Sequence, residues 1–388
     1  MSRACSGKVK LVLTLTMVAL GCAPKDIGGS SNDPVVDAGQ SGTQDPNGQI
    51  PPASTSPINS PANQPTTPSS LAPTKPDGSK QTCAAPLKAA DGSTLFPKTL
   101  SQTGCFTNLK EKQPAPSLLA YSVRVPLWSD GASKRRWVAL PDGARLAANP
   151  NGDVFLPSGG VLLKEFSLGN QVLETRMLAR RLDGQYALAT YRWNAAGTDA
   201  DVVLGDWQSQ TVDGIPWTYF GPAGCAMCHS GSKGTDLGLS MAQLDVPSAS
   251  GKSQLDEWKE QGVLESVPAV TATGFDTATV AGKARAYLDV NCSSCHSVGA
   301  RYFMGFDFSA KVPLSQTGLC NTLPAHGNFG ITDAKILAPG RPDASVLLMR
   351  MRAIDNRRMP RFGSEVVDKE GTAIVESWIS QLKNCLAE

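Results

Sequence analysis

Apolar and polar positions change rhythm several times along this chain. After a charged start at Arg3, Lys8 and Lys10, an apolar run extends from Leu11 to Leu20 and ends at Gly21-Cys22. Residues 23–80 then carry almost no large apolar side chain and are dominated by Pro, Ser, Gly, Thr, Asn, Gln and Asp. Between Pro114 and Trp217 the period is two, as in Arg136-Trp137-Val138-Ala139-Leu140 before the turn residues Pro141-Asp142-Gly143, which predicts strands. The clearest hairpin runs from Val172 to Trp193, with strand-like stretches on either side of Asp183-Gly184. The spacing then turns helical. Ser253 to Gly262 predicts a short helix with a Ser cap, Leu255 and Trp258 on one face, and a Gly stop. Thr277–Asn291 and Lys369–Leu382 predict two amphipathic helices, the second through Ile374, Val375, Trp378, Ile379 and Leu382.

The ends change the picture more than the composition does. A basic start, an apolar stretch too short to span a bilayer and a small residue at a cleavage point predict a secretory signal over 1–21. Ala19-Leu20-Gly21-Cys22 resembles a bacterial lipoprotein box, in which the cysteine receives the lipid and becomes the new N-terminus. Residues 22–80 cannot bury enough surface to offset their chain entropy. They predict a disordered tether with a root-mean-square reach of about 40 Å. Removing 1–21 takes three of the 36 Lys and Arg and none of the 34 acids, leaving a formal 33 against 34. No basic excess favours nucleic acid.

The chemistry lies in two pentapeptides, Cys225-Ala226-Met227-Cys228-His229 and Cys292-Ser293-Ser294-Cys295-His296. Each places two thiols where they can bond to the vinyl-derived carbons of a porphyrin, with the adjacent His reaching the iron. Two covalently bound haems c are therefore expected, with Cys225, Cys228, Cys292 and Cys295 as attachment points and His229 and His296 as iron ligands. A zinc site would need more ligands than Cys and adjacent His supply. A redox dithiol would need a βαβ context that the pattern lacks. The remaining cysteines should pair within their neighbourhoods in an oxidising compartment, Cys83 with Cys105 and Cys320 with Cys385.

Residues 275–388 resemble a class I cytochrome c domain through the helix running into Asn291-Cys292, the phrase Ile336-Leu337-Ala338-Pro339-Gly340, the segment Arg358-Met359-Pro360 and the terminal helix with Trp378. The resemblance implies crossed N- and C-terminal helices beside the haem and a loop Met as sixth ligand, which makes Met359 the distal partner of the iron on His296. Thioether sulfur is a soft, neutral donor and Pro360 restricts the loop that presents it. Met349 and Met351 read as core residues instead. Through Pro126-Leu127-Trp128-Ser129-Asp130-Gly131-Ala132, Thr190-Tyr191-Arg192-Trp193-Asn194 and the order of the two motifs, residues 95–388 also resemble a bacterial dihaem family of mostly unassigned role.

These readings combine into an α+β expectation: an antiparallel β-rich N-terminal domain over 81–265 bearing the first haem motif, followed by an all-α class I cytochrome c domain over 266–388. The sixth ligand of the first haem stays open. The chain has three histidines, two of them already proximal, which leaves Met241, Met177, His326 or none. The run Lys134-Arg135-Arg136 reads as a solvated face, with haem propionates as the alternative. The expected function is electron transfer in the cell envelope, on a chain anchored through a lipid on Cys22, with Ala23 in place of an acidic residue favouring the outer membrane. Partners would be an exported dehydrogenase or quinol oxidase and a downstream acceptor, with no organic substrate needed. A peroxidase-like dihaem enzyme with an open first iron is the alternative. A third reading makes the β part a partner- or sugar-binding module, which exposed Trp128, Trp193, Trp207 or Trp217 would support.

Overall fold

The computed structural model describes residues 83, 87–88, 94–229, 237–265 and 275–386. The expected signal over 1–21, the lipid site at Cys22 and the tether over 22–80 lie outside them. The described residues belong to one compact unit, Asn59–Glu388.

Alternation in the sequence becomes a set of antiparallel strands. Short pairs come first: β1 (Leu87–Lys88) with β2 (Thr94–Leu95), and β3 (Phe106–Asn108) with β4 (Gln113–Pro114). The main sheet then uses β5 (Leu119–Ala120) and β6 (Ser133–Ala139). A side pair, β7 (Ala147–Ala148) with β8 (Val154–Phe155), precedes the long strands β9 (Val161–Leu168), β10 (Gln171–Arg180) and β11 (Tyr186–Trp193). Strand β12 (Ala200–Val202) completes a six-stranded sheet in the order β12-β11-β10-β9-β6-β5, and β13 (Trp207–Val212) pairs with β14 (Ile215–Phe220). The β10–β11 hairpin turns at Asp183-Gly184 as expected, with Gly184 at φ 81°, a left-handed conformation that glycine adopts at no steric cost.

Because side chains alternate across a strand, the sheet has two unlike faces. One carries Trp137, Ala139, Leu163, Met177, Ala189 and Tyr191 into a core closed by Leu100, Phe106 and the Cys83–Cys105 disulfide. The other presents Val138, Leu162 and Leu178 to Leu239, Leu244, Leu255, Trp258 and Leu264. This second face also carries the charged residues that line the site described below.

Among the described residues, six α-helices follow the strands. Their order is α1 (Pro222–His229), α2 (Met241–Leu244), α3 (Gln254–Glu260), α4 (Val280–Cys292), α5 (Val346–Arg352) and α6 (Lys369–Gln381). Helix α3 is capped by Ser253 and buries Leu255 and Trp258 against the sheet. Helices α4 and α6 start at Thr279 and Asp368, whose side chains accept from Gly282 N and Gly371 N. They meet around Leu288, Val375, Trp378 and Ile379, with Met351 in the same core and Met349 packed against it. The second disulfide, Cys320–Cys385, ties the segment after α6 to the loop before α5.

The α+β expectation with a separate all-α class I cytochrome c domain is corrected here. The described residues are β-rich, with fourteen antiparallel strands and six helices, and no all-α cytochrome c domain is evident among them. The reason is physical: the later helices are few and loop-rich, and they share polar contacts with loops of the β part. Trp128 N donates to Asn291 Oδ1 at 2.9 Å, and Trp128 Nε1 to Val366 O at 3.0 Å. Buried Asp130 accepts from Glu365 N and Val366 N, both at 2.8 Å. Lys311 bridges to Asp153 at 2.8 Å. No helix among the described residues is long and apolar enough to cross a membrane.

Candidate functional site

Helix α1 carries the first pentapeptide, and its position is set by two glycines. Pro222 opens the helix, where a missing N–H costs nothing. A Cβ on Gly221 would stand 1.8 Å from Gly205 O, and one on Gly224 2.6 Å from Phe220 Cδ1. Only glycine allows the helix to press this closely on the neighbouring turn and on β14. Cys225 is thereby buried, its Sγ 3.7 Å from Phe220 O and 4.0 Å from Thr190 Oγ1 on β11. Burial pushes its thiol upward in pKa. Cys228 and His229 follow on the same turn, half-buried.

The second pentapeptide leaves the C-terminal end of α4. Cys292 is the last helical residue, and Cys295 N and His296 N both return to its carbonyl, at 3.2 and 2.9 Å. Burial pushes the Cys292 thiol up to about 12. Its neighbour Asn291 is buried, accepting from Trp128 N and donating to Tyr287 O at 2.9 Å. His296 Nδ1 lies 2.9 Å from Tyr302 O. A carbonyl can only accept, so Nδ1 carries the proton and Nε2 keeps its lone pair for a metal. The ring packs against Phe306 and Phe308, with centroids 5.5 and 6.0 Å away, and these two rings also touch each other at 5.6 Å. Burial holds the imidazole below its ordinary pKa.

The two pentapeptides converge. Cys225, Cys228, His229, Cys292, Cys295, His296 and Met359 all line one cavity of about 1690 Å³. The Cys228 thiol hydrogen-bonds to the Cys295 sulfur, which drives Cys228 up and Cys295 down from the ordinary thiol value.

Ordinary small-molecule pockets hold about 300–1,000 Å³, so this cavity has room for more than one macrocycle. Its walls are apolar at Leu162, Leu178, Leu188, Phe306 and Phe308. Ten cationic side chains line it against four acids: Arg136, Lys164, Arg176, Arg180, Arg285, Lys311, Arg350, Arg357, Arg358 and Arg361 against Asp153, Asp276, Asp289 and Asp368. A flat apolar body bearing carboxylates suits that lining. Among the described residues no group of three or more His, Cys, Asp and Glu gathers as a metal site. Each motif pairs two cysteines with one adjacent histidine, so the residues suit thioether attachment with one His per iron better than a zinc centre, which needs four convergent ligands.

The sulfur and imidazole donors sort clearly. Met359 lines the cavity, half-buried, with its N–H donating to Arg350 O at 3.0 Å. Met241 packs with Leu239 and Leu244 rather than lining the cavity. Met177 borders the cavity, but its side chain belongs to the core on the opposite sheet face. His326 lines the cavity and is exposed. Met304, in a segment whose sequence has no clear period or motif, also lines it.

The Lys134-Arg135-Arg136 run is split by the sheet rather than uniformly solvated. Lys134 Nζ donates to Leu127 O at 2.6 Å, Arg135 pairs with buried Glu165 at 2.6 Å on the other face, and Arg136 is buried and faces the cavity. Of the four tryptophans considered as an exposed platform, Trp193 and Trp217 are buried, Trp128 is half-buried and Trp207 is exposed. No family model, curated protein or solved structure matches this chain.

Proposed function

We propose that this chain is a dihaem c-type cytochrome that relays electrons in the cell envelope. The observation that carries the proposal is the opening of both Cys-x-x-Cys-His motifs onto one cavity, with Cys228 and Cys295 in contact. Two irons held on facing motifs would sit close together in one unit, as suits passage of single electrons from one to the other. The haem supplies the one-electron iron couple, and the protein sets its potential through ligands, burial and neighbouring charge.

The chain's own residues divide the remaining work. Cys225, Cys228, Cys292 and Cys295 would hold the two groups as thioethers, and His229 and His296 would ligate the irons. Tyr302 O fixes the His296 tautomer that leaves Nε2 available. Met359 would supply the sixth ligand to the iron on His296, as a neutral sulfur already facing the cavity. The two disulfides suit an oxidising compartment, in keeping with export, lipid attachment at Cys22 and exchange with an exported dehydrogenase or quinol oxidase and a downstream acceptor.

A dihaem oxidoreductase with an open first iron is the competing reading. It is favoured by the packing of Met241 and Met177 into hydrophobic cores, which leaves the exposed His326 and Met304 as further donors along the cavity wall. Absorption spectra of the reduced protein and of Met359→Ala, with and without carbon monoxide, separate the two. Two low-spin haems that ignore carbon monoxide in the wild type, one of which binds it in Met359→Ala, are expected of the relay. A native haem that takes carbon monoxide would favour the oxidoreductase, and unchanged ligation in Met359→Ala would remove Met359 from its role.

A further inference from the structure

Three cations stand directly opposite one another across the middle of the main sheet. Arg136 on β6 pairs in register with Lys164 on β9, and Lys164 pairs with Arg176 on β10. All three line the cavity. Like charges directly opposite on neighbouring strands destabilise a sheet, so the row needs an anion that the chain itself only partly supplies. Arg176 has Glu174 at 2.6 Å. Arg136 donates to the Lys134 carbonyl at 3.4 Å, with no carboxylate paired to it among the described residues. Lys164 has no hydrogen-bond or ionic partner among the described residues. Burial and the flanking Arg136 and Arg176 bring its pKa down to about 7, the behaviour of an ammonium held without a counter-ion.

The row also points to one of the two motifs. Arg176 pairs in register with Thr190 on β11, and the Thr190 hydroxyl lies 4.0 Å from Cys225 Sγ. The line across the sheet therefore runs Cys225, Thr190, Arg176, Lys164, Arg136. At one strand spacing per step, Lys164 and Arg136 stand ~10–14 Å from Thr190. In a haem c the thioether-bearing edge and the propionate-bearing edge lie on opposite sides of the macrocycle. A group attached at Cys225 and Cys228 and lying along this line would bring its carboxylates to the far end of the row.

We infer that Arg136, Lys164 and Arg176 form an oxyanion site that binds the propionates of the haem attached at Cys225 and Cys228 and thereby raises that haem's reduction potential. The inference rests on the dihaem proposal above. Lys164 contributes a positive charge that offsets a propionate, and without it the uncompensated carboxylate favours the oxidised, more positive iron. A free oxyanion such as phosphate could satisfy the same row, and the test separates the two sources.

Spectroelectrochemical titrations of the full haem-loaded chain compare the wild type, Lys164→Met, Lys164→Arg and Lys259→Met, the last removing an exposed cation. Lys164→Met takes away an unpaired, half-buried charge and keeps an unbranched side chain, so folding is retained; Lys164→Arg restores the charge. The expected result is a lower midpoint potential for one of two haems in Lys164→Met, with a new pH dependence as the freed propionate takes up a proton. Recovery in Lys164→Arg, no change in Lys259→Met and no response of the wild type to inorganic phosphate complete the expectation. A wild-type potential that falls saturably with phosphate, and ceases to do so in Lys164→Met, would overturn the propionate assignment in favour of a free anion. Two attached haems whose potentials ignore Lys164→Met would overturn the inference and leave the dihaem proposal standing. A chain without covalent haem would overturn both.

Discussion

Helices α4 and α6 cross at a point where one methyl group decides the packing. Gly371 is the third residue of α6, and a Cβ there would stand 2.2 Å from Cε2 and 2.3 Å from Cζ of Tyr287 on α4. It would also lie 2.6 Å from Oδ2 of Asp368, the cap whose Oδ1 accepts from Gly371 N at 2.8 Å. In Gly371→Ala the helix gains about 1 kcal/mol of intrinsic propensity. Against this, forcing an extra carbon into a packed contact costs about 1–3 kcal/mol. Moving the Tyr287 ring also weakens its hydrogen bond to Asp368, worth about 1 kcal/mol. The balance is a loss of about 1–3 kcal/mol. Urea unfolding followed by far-ultraviolet circular dichroism should show it as a lower midpoint at unchanged slope. The double variant Tyr287→Ala/Gly371→Ala should then be no less stable than Tyr287→Ala alone, because the clash has gone. A Gly371→Ala protein as stable as the wild type would refute this packing of the helix that ends at Cys292.

Three further outcomes follow from particular contacts. Replacing Cys320 and Cys385 by serine opens a loop of 65 residues and should cost about 4 kcal/mol from loop entropy, measured as the shift in unfolding free energy. Asp130→Ala removes the acceptor of Glu365 N and Val366 N, both part-buried, and should cost about 1 kcal/mol for each hydrogen bond lost. Because it loosens the segment after Met359, it should also shift the absorption of one haem. Ser248 and Ser250 donate to Glu257 and hold its carboxyl below the ordinary value. The stability this gives is present above the ordinary carboxylate pKa and lost as pH falls through the lowered folded value. Glu257→Gln should therefore flatten the acid limb of the stability profile by lowering the neutral plateau, with little change at acid pH where Glu257 is already protonated.

What the sequence makes legible is local. Ser253, Thr279 and Asp368 are caps that identify their helices, Asp183-Gly184 identifies its hairpin, and each pentapeptide states its own chemistry. The disulfide partners were also within reach, since each pair lies in one neighbourhood. What escapes is contact between distant segments. Helical spacing at 277–291 and 369–382 suggested an independent all-α domain, yet the bonds that join this part to the β loops span 163 to 238 residues and leave no local pattern. Lys164 sits beside Glu165, so polarity alone gives no inward face. Pairing β9 with β6 and β10 sends Lys164 to the cavity and Glu165 to the opposite core. The same geometry separates Arg135 from Arg136. Met304 has neither spacing nor motif to announce it, and enters the cavity through the fold alone.

The most direct test of the central claim is the intact mass of the full chain, produced in a host that attaches haem c, together with that of variants lacking one or both cysteine pairs. The wild type should carry two covalent haems. Cys225→Ala/Cys228→Ala should carry one, as should Cys292→Ala/Cys295→Ala, and the fourfold variant should carry none. A wild-type chain at its unmodified mass, or one that keeps haem when all four cysteines are gone, would contradict the account.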